Sequence, residues 1–392
     1  MRILHLFANW KWTGPAEPAL NLAWWQSREH EVLFLSGQAP PGQQSRIEPQ
    51  AQARGVATRG GFQLAKHARL RRNRQDAHAL GRLLAEWRPH VVHSHLDNDH
   101  RIASIAVART GIGRLVRTAY DPAGLSHTLR MRLVARRALH GLIVTSRASR
   151  AGTLASYGAG GGGRPGALAV DGRPLPMALI EGGVDLSRFD PGRCDRAAAR
   201  ARLGLEPDDV AVGIVARVQA HRRFEILLDA LEQVRRRHRA LRLVVIGRGT
   251  NIRPLLLDPV EARGLSGAVV PTGYLDGDAF PSALAALDAT LFLVPGSDGS
   301  CRALREQQAM GLPAIVTPRA PLPDIVQDGR TGLVAEESVD GLAEALERIV
   351  ADAPWRAKLA AGALASARRR FDLAAQGAAT MAFYEEVLAA AE

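Results

Sequence analysis

Cysteine, lysine and long apolar runs are all scarce in this chain, and each shortage removes a class of protein. Only two cysteines occur, Cys194 and Cys301, far apart. No disulfide framework can hold such a chain, and a reducing compartment, the cytoplasm, is expected. No stretch approaches the roughly 18 apolar residues of a membrane span. The opening MRILHLF is soon broken by Asn9 and Lys11, too short for the apolar region of a secretory signal. Lysine is nearly displaced by arginine. What remains is ordinary: 392 residues, 46% hydrophobic and 23% charged, enough for two or three globular domains.

The net charge of +12 is unevenly placed. Residues 1–180 hold 25 Lys or Arg against 10 Asp or Glu, a balance of +15, and the remainder stands at −3. An anionic partner for the first half would explain this: nucleic acid, an anionic lipid surface or an anionic acceptor. An arginine-rich base composition explains it equally well. The densest runs are Lys66, Arg69, Arg71, Arg72 and Arg74, and then Arg130, Arg132, Arg136 and Arg137. Each is either a solvated helix face or a basic surface for anionic lipid. Nucleic acid is not expected, because no helix-turn-helix or zinc-finger pattern is present.

Short apolar runs alternate with amphipathic segments in two stretches. In the first, strands are expected at Ile3–Phe7, Val32–Leu35, His90–His93, Leu115–Thr118 and Leu142–Val144, with helices at Ala19–Arg28 and Asp76–Trp87. In the second, strands are expected at Val210–Val215, Leu241–Ile246, Ala268–Pro271, Ala289–Leu293 and Ala314–Val316, with helices at Phe224–His238 and Arg302–Met310. Continuous apolar strands between helices imply parallel sheets covered on both faces, hence two Rossmann-like α/β domains. Tyr157–Pro176, with GAGGGGRPG and DGRPLP, reads as a flexible loop leading into the domain linker. Domains are expected over 1–176 and 177–370, with 371–392 a helix packing back on the first.

One segment concentrates chemistry. The apolar ATLFLV ends at Pro295, a Gly/Ser loop follows through Asp298, Gly299, Ser300 and Cys301, and a helix starts near Arg302. Helix N-termini at the carboxyl ends of parallel strands favour phosphate and sugar hydroxyls. Asp298 and Glu306, acceptor-only groups with seven residues between them, suit the paired hydroxyls of a sugar or ribose.

This stretch, DGSCRALREQQAMGLPAIV, resembles glycosyltransferase family 4, whose motif reads EGFGLPLLEAMACGVPVV. Asp298 matches the first acid and Glu306 the second. The resemblance implies that the first acid contacts the transferred sugar, the second binds the nucleotide ribose, and the loop backbone from Gly299 through Arg302 reaches the sugar and diphosphate. Other segments match in order. Gly213 through Arg223 resembles VGRLVPEKG, which makes Arg217 and Arg222 the cations clamping the donor diphosphate. Val244 through Gly249 resembles VIGDG and gives Gly247. Ile180 through Phe189 resembles IPNGVDTERF, Leu322 through Leu333 resembles LPEIVEDGVTGLL, and Arg88 through His95 resembles PDVVHAH. Trp12 through Glu17 resembles the glycine loop GGAE after the first strand and gives Gly14. The ordered set spans nearly the whole chain. It implies the GT-B fold, two doubly wound parallel-sheet domains facing a central cleft, and a retaining, metal-independent transferase using a nucleotide-sugar, by default a UDP-sugar, with no cofactor. The acceptor is expected to be a glycan or lipid-linked molecule, and the enzyme to lie peripherally on the inner face of the membrane.

Three departures stand out. Asp298 is a methylene shorter than Glu. Pro15 removes a backbone donor from the first loop. Tyr120 stands where the family carries a histidine near the reacting sugar; a phenol positions a hydroxyl well but is a poor base at neutral pH. His95 and Asp97 are candidate acceptor contacts beside Tyr120. The segment His93–His100, with Asp97, Asn98 and Asp99, imitates a metal site but reads better as helix capping. Two further functions stay open: a nucleotide-sugar 2-epimerase of the same fold, and a catalytically silent partner protein.

Overall fold

The computed structural model describes residues 1–126, 128–158, 168–170, 173–296 and 301–390. The chain forms two compact units. The first comprises Met1–Gly183 and the segment from Leu373 onward; the second runs from Val184 to Asp372.

In the first unit β1 (Arg2–Phe7), α1 (Ala16–Gln26), β2 (Glu31–Ser36), α2 (Glu48–Ala53), β3 (Ala57–Thr58), α3 (Leu70–Trp87), β4 (Val91–Ser94), α4 (Asp97–Thr110), β5 (Arg114–Ala119), α5 (Leu129–Ala138), β6 (Leu139–Val144), α6 (Arg147–Tyr157), β7 (Leu168–Val170), β8 (Arg173–Leu175) and β9 (Met177–Leu179) follow in turn. Seven strands form one sheet in the order β3-β2-β1-β4-β5-β6-β9, every pair parallel. Alternation along the strands divides the core. Ile3, Phe7, Phe34 and Val116 pack on one face, and Leu4, Leu6, Leu35, Val92 and Leu115 pack with α3 and α4 on the other. The C-terminal helix, Leu373–Ala389, covers the first face with Met381, Phe383, Tyr384 and Val387. Each such burial contributes about 1.5–3 kcal/mol. The close approach depends on glycine: a Cβ on Gly183 would lie 2.6 Å from the Cα of Leu373, and one on Gly141 2.6 Å from Val387.

In the second unit the elements are α7 (Arg196–Arg202), β10 (Val210–Val215), α8 (Phe224–Arg235), β11 (Leu241–Ile246), α9 (Asp258–Ala262), β12 (Val269–Gly273), α10 (Ala279–Ala285), β13 (Ala289–Phe292), α11 (Arg302–Ala309), β14 (Ala314–Val316), α12 (Leu322–Ile325), β15 (Gly332–Val334), α13 (Val339–Ala351) and α14 (Ala353–Arg370). Six parallel strands run β12-β11-β10-β13-β14-β15. Both sheets therefore reverse strand order once, between β1 and β4 and between β10 and β13. Ligands of doubly wound sheets bind outside the carboxyl ends of the strands at that reversal.

Three expectations are corrected. The strand Met177–Leu179 pairs with β6, so the boundary moves from 176/177 to 183/184. Within Tyr157–Pro176, β7 and β8 form an antiparallel ribbon whose Leu168, Val170 and Leu175 are buried beside Leu142 and Val144, so this part is core and not linker; residues 159–167, 171 and 172 lie outside the described residues. The expected terminal helix over 371–392 begins at Leu373, after a break at Phe371 and Asp372 that separates it from α14. Among the described residues no helix is long and apolar enough to cross a membrane.

Candidate functional site

In the second unit the candidates gather at the carboxyl ends of β10, β11 and β13. Arg217 follows β10, is exposed, and makes no hydrogen bond or ion pair among the described residues. Arg222 lies in the short turn before α8, and its Nη1 donates to the carbonyls of Val294 at 2.7 Å and Pro295 at 3.2 Å. Its guanidinium thus spans the reversal between β10 and β13. Gly247 closes the neighbouring turn: a Cβ there would lie 2.0 Å from the Ala216 carbonyl, so only glycine lets the ends of β10 and β11 meet.

Cys301 caps α11 in the left-handed region (φ 44°) and is buried. Arg302 opens the helix, and its Nη1 donates to Oε1 of Glu306 at 3.0 Å, one turn on. Glu306 is only 3% exposed, so its carboxylate is held in place rather than free on a helix surface. Asp298, Gly299 and Ser300 lie outside the described residues. Sequence reading missed a neighbouring pair: Arg248 after β11 lies over the ring of Tyr274 after β12, 4.9 Å from its centroid, and Tyr274 is 59% exposed. Such a pair is a platform for a flat ring.

In the first unit the candidates surround the other reversal. Gly14 sits in a turn closed by the Ala16 N–H on the Thr13 carbonyl, and Pro15 caps α1. His95 follows β4 and is fully buried. Its Nδ1 meets the Tyr120 hydroxyl at 2.9 Å and its Nε2 meets Nδ1 of His5 at 3.0 Å; Nε2 of His5 reaches the Gln26 Oε1 at 2.8 Å. The amide of Gln26 accepts, so His5 carries its proton on Nε2 and accepts on Nδ1. His95 must then donate from Nε2 and accept the Tyr120 proton on Nδ1. Beside this chain His93 bonds Tyr384 at 2.6 Å and Thr118 at 2.7 Å. The apposed ring nitrogens of His5, His93 and His95 lie within 4.8 Å, but all six are spent on these bonds. Burial holds His5 down to about 4 and keeps His93 and His95 well below the ordinary histidine value, so all three are neutral imidazoles.

Asp97 accepts from Nη2 of Arg117 at 3.0 Å and is half exposed. Asp99 caps α4, accepting the N–H groups of His95, Leu96 and Ala8 within 3.1 Å, which is the capping role read from the sequence. Burial pushes its carboxyl up to about 7, against the pull of Arg117 and those N–H groups. His5, Gln26, Arg117 and Tyr384 were missed. A histidine inside the apolar run of β1 was the only available signal for the first.

Comparison with known proteins bears on the family and the fold. A family model described as Glycosyltransferase Family 4 matches residues 19–161, and one described as Glycosyl transferases group 1 matches residues 209–352. The chain belongs to the family 4 glycosyltransferases. A D-inositol 3-phosphate glycosyltransferase of Actinosynnema mirum is 34% identical over 233 residues, 55% of each chain. One from Segniliparus rotundus is 30% identical over 64% of this chain and 56% of its own. The chain thus matches about half the length of these curated relatives. Anabaena HepE in complex with UDP superposes with a TM-score of 0.80 over 98% of this chain and 100% of its own at 18% identity, which shows the fold, GT-B, alone.

Proposed function

We propose that the chain transfers a sugar from a UDP-sugar to an acceptor hydroxyl with retention of anomeric configuration and without a bound metal. The observation that carries the reading is the gathering of Arg217, Arg222 and the fixed carboxylate of Glu306 at the β10/β13 reversal. The two guanidinium groups offset the charge that develops on UDP as its bond to the anomeric carbon breaks. The acceptor oxygen bonds to that carbon on the same face, and the acceptor proton passes to an oxygen of the departing phosphate. Glu306 accepts from the ribose hydroxyls, Asp298 holds the transferred sugar, and the Arg248–Tyr274 platform takes the base. Tyr120 and Asp97 serve the acceptor, which is a glycan or lipid-linked molecule; His95, fully buried with both ring nitrogens bonded, is not the acceptor contact expected of it and instead orients Tyr120. The relatives' names make D-inositol 3-phosphate the first soluble acceptor to try. The +15 balance of residues 1–180 suits work on the cytoplasmic side of an anionic membrane.

A thermal-shift series with UDP, GDP, ADP and their sugars, in EDTA, tests this. A ligand at a hundred times its Kd adds about 2.7 kcal/mol to the folded state. UDP compounds should raise the midpoint without metal, and transfer should follow with an acceptor. Indifference to every nucleotide, or activity only with manganese, would overturn it. Isomerisation of the donor incubated alone would favour the epimerase.

A further inference from the structure

The hydrogen bonds behind Tyr120 run in one direction, and the C-terminal helix sets it. Gln26 on α1 is buried, and its Nε2 reaches the Met381 sulfur at 3.4 Å. A thioether carries no proton and can only accept. The NH2 end of the amide therefore faces Met381, and the carbonyl Oε1 faces Nε2 of His5 at 2.8 Å. A carbonyl also only accepts, so His5 donates from Nε2. Its Nδ1 is then bare and takes the Nε2 proton of His95 across 3.0 Å. His95 is left with a bare Nδ1 in turn, and the proton of the Tyr120 hydroxyl goes to it across 2.9 Å. Full burial keeps both rings neutral, so neither has a second proton with which to reverse the order.

A phenol has one proton. Spent inward, it leaves the Tyr120 oxygen only lone pairs for any other group that meets it. Tyr120 is half-buried and follows directly on β5, at the carboxyl end of the strand. Asp97, at the start of α4, brings a second acceptor-only group to the same edge of the sheet. Its carboxylate is half exposed and is held by Nη2 of Arg117 at 3.0 Å.

We propose that the acceptor turns a face of donating hydroxyl groups, those of a polyol or sugar, toward Tyr120 and Asp97, and that Gln26 and Met381 are positioning residues that impose this choice through His5 and His95. The proposal rests on the functional reading above, in which Tyr120 and Asp97 serve the acceptor, and it names the chemical class they admit. A phosphate, a carboxylate or an ether oxygen set against Tyr120 would place lone pair against lone pair, and an anion would also face the Asp97 carboxylate. Each mismatch leaves a polar group unpaired, which is how a hydrogen-bonding site rejects the wrong ligand. The phosphate of a phosphorylated polyol must therefore lie away from these two residues. Run the other way, the same chain would free the phenol proton and welcome a phosphate oxygen. The selection is thus made by His5, Gln26 and His95, which are buried too deeply to meet the acceptor themselves.

Nuclear magnetic resonance of the full chain, with nitrogen-15 in the histidine rings, reads the direction at neutral pH with no substrate present. His95, assigned by the loss of its signals in His95→Phe, should carry its proton on Nε2 and have a bare Nδ1; a proton on Nδ1 overturns the proposal. Gln26→Leu takes away the carbonyl that fixes His5, so the His95 signals should become those of mixed tautomers, while an unchanged spectrum removes Gln26 from the positioning role. The ligand class is read from transfer to D-inositol 3-phosphate and to its monodeoxyfluoro analogues, in which fluorine fills the place of a hydroxyl but cannot donate. One analogue should lose about fivefold or more in kcat/KM against its parent with the wild type, and less than about twofold with Tyr120→Phe. Equal losses in the two proteins for every analogue would refute the class. The thermal shift by UDP should persist in every variant. Its absence in the wild type would mark failure of the donor reading, and the histidine spectrum stands apart from that outcome.

Discussion

The hydroxyl of Tyr120 donates to Nδ1 of His95 across 2.9 Å, and the direction of that bond is set two residues deeper, by the Gln26 amide on His5. The phenol is thereby oriented by a buried chain that contains no charge. Tyr120→Phe should lower kcat/KM for the acceptor about two- to tenfold, the worth of one neutral hydrogen bond, and leave UDP affinity unchanged. His95→Phe should do the same and also cost about 1–3 kcal/mol of stability, because Nδ1 of His5 loses its buried donor. Steady-state kinetics and urea titration measure the two effects. An unaltered acceptor response in Tyr120→Phe removes that residue from the acceptor site.

Arg217 and Arg222 should fail differently. Arg217 is exposed and unpaired among the described residues, so Arg217→Ala should change stability by less than about 0.5 kcal/mol. It should still lower kcat by about a hundred- to a thousandfold. Arg222→Ala should lose activity and also about 1.5–3 kcal/mol, since a charged donor leaves the carbonyls of Val294 and Pro295. Full activity of Arg217→Ala would place the diphosphate elsewhere.

The buried imidazoles make the first unit acid-sensitive. His5, His93, His95 and His100 all titrate below the ordinary value because burial disfavours the cation. The unfolded chain protonates them near pH 6.5, so their contribution is whole above that pH and is lost as the pH falls, for His5 through about 4. Asp99, raised to about 7 by burial, works the other way: its contribution is present below its unfolded value near 4 and is lost as the pH rises through 7. Below pH 6.5 the four imidazoles take up protons on unfolding while one carboxyl gives one up, so stability falls as the pH falls. Urea midpoints across this range should drop steeply, and His100→Phe should remove one proton from the slope. A flat profile from pH 6.5 to 5 contradicts the burial of these groups in neutral form.

Gly377→Ala tests the seating of the C-terminal helix. Helix propensity favours alanine by up to about 1 kcal/mol. Its Cβ, however, would lie 2.2 Å from Cε3 of Trp25 on α1. Overpacking of that kind costs about 1–3 kcal/mol, so the net change should be destabilising, and a raised denaturation midpoint would show that α1 yields easily.

Much of the architecture was legible along the chain. Ten of the strands were found from apolar runs, because strands covered on both faces need no polar residue. The residues proposed for the donor site were named from the resemblance and from their place beyond the carboxyl ends of parallel strands, where ligands bind. The strands that were missed, Ala57–Thr58, Leu168–Val170, Arg173–Leu175, Met177–Leu179 and Gly332–Val334, are two or three residues long. So few residues carry no period; only a partner strand defines them.

The sequence by itself determined the fold class, the order of the strands and helices along the chain, and which loops carry cations, carboxylates and glycine turns, because each of these rests on residues a few positions apart. Only the tertiary structure decided what depends on distant segments meeting. His5 reaches His95 across 90 residues and His93 reaches Tyr384 across 291. The chain from 177 to 183 belongs with the first unit because β9 pairs with β6. Strand order within a sheet and the seating of a terminal helix fix these meetings, and neither leaves a local pattern in the residues that meet.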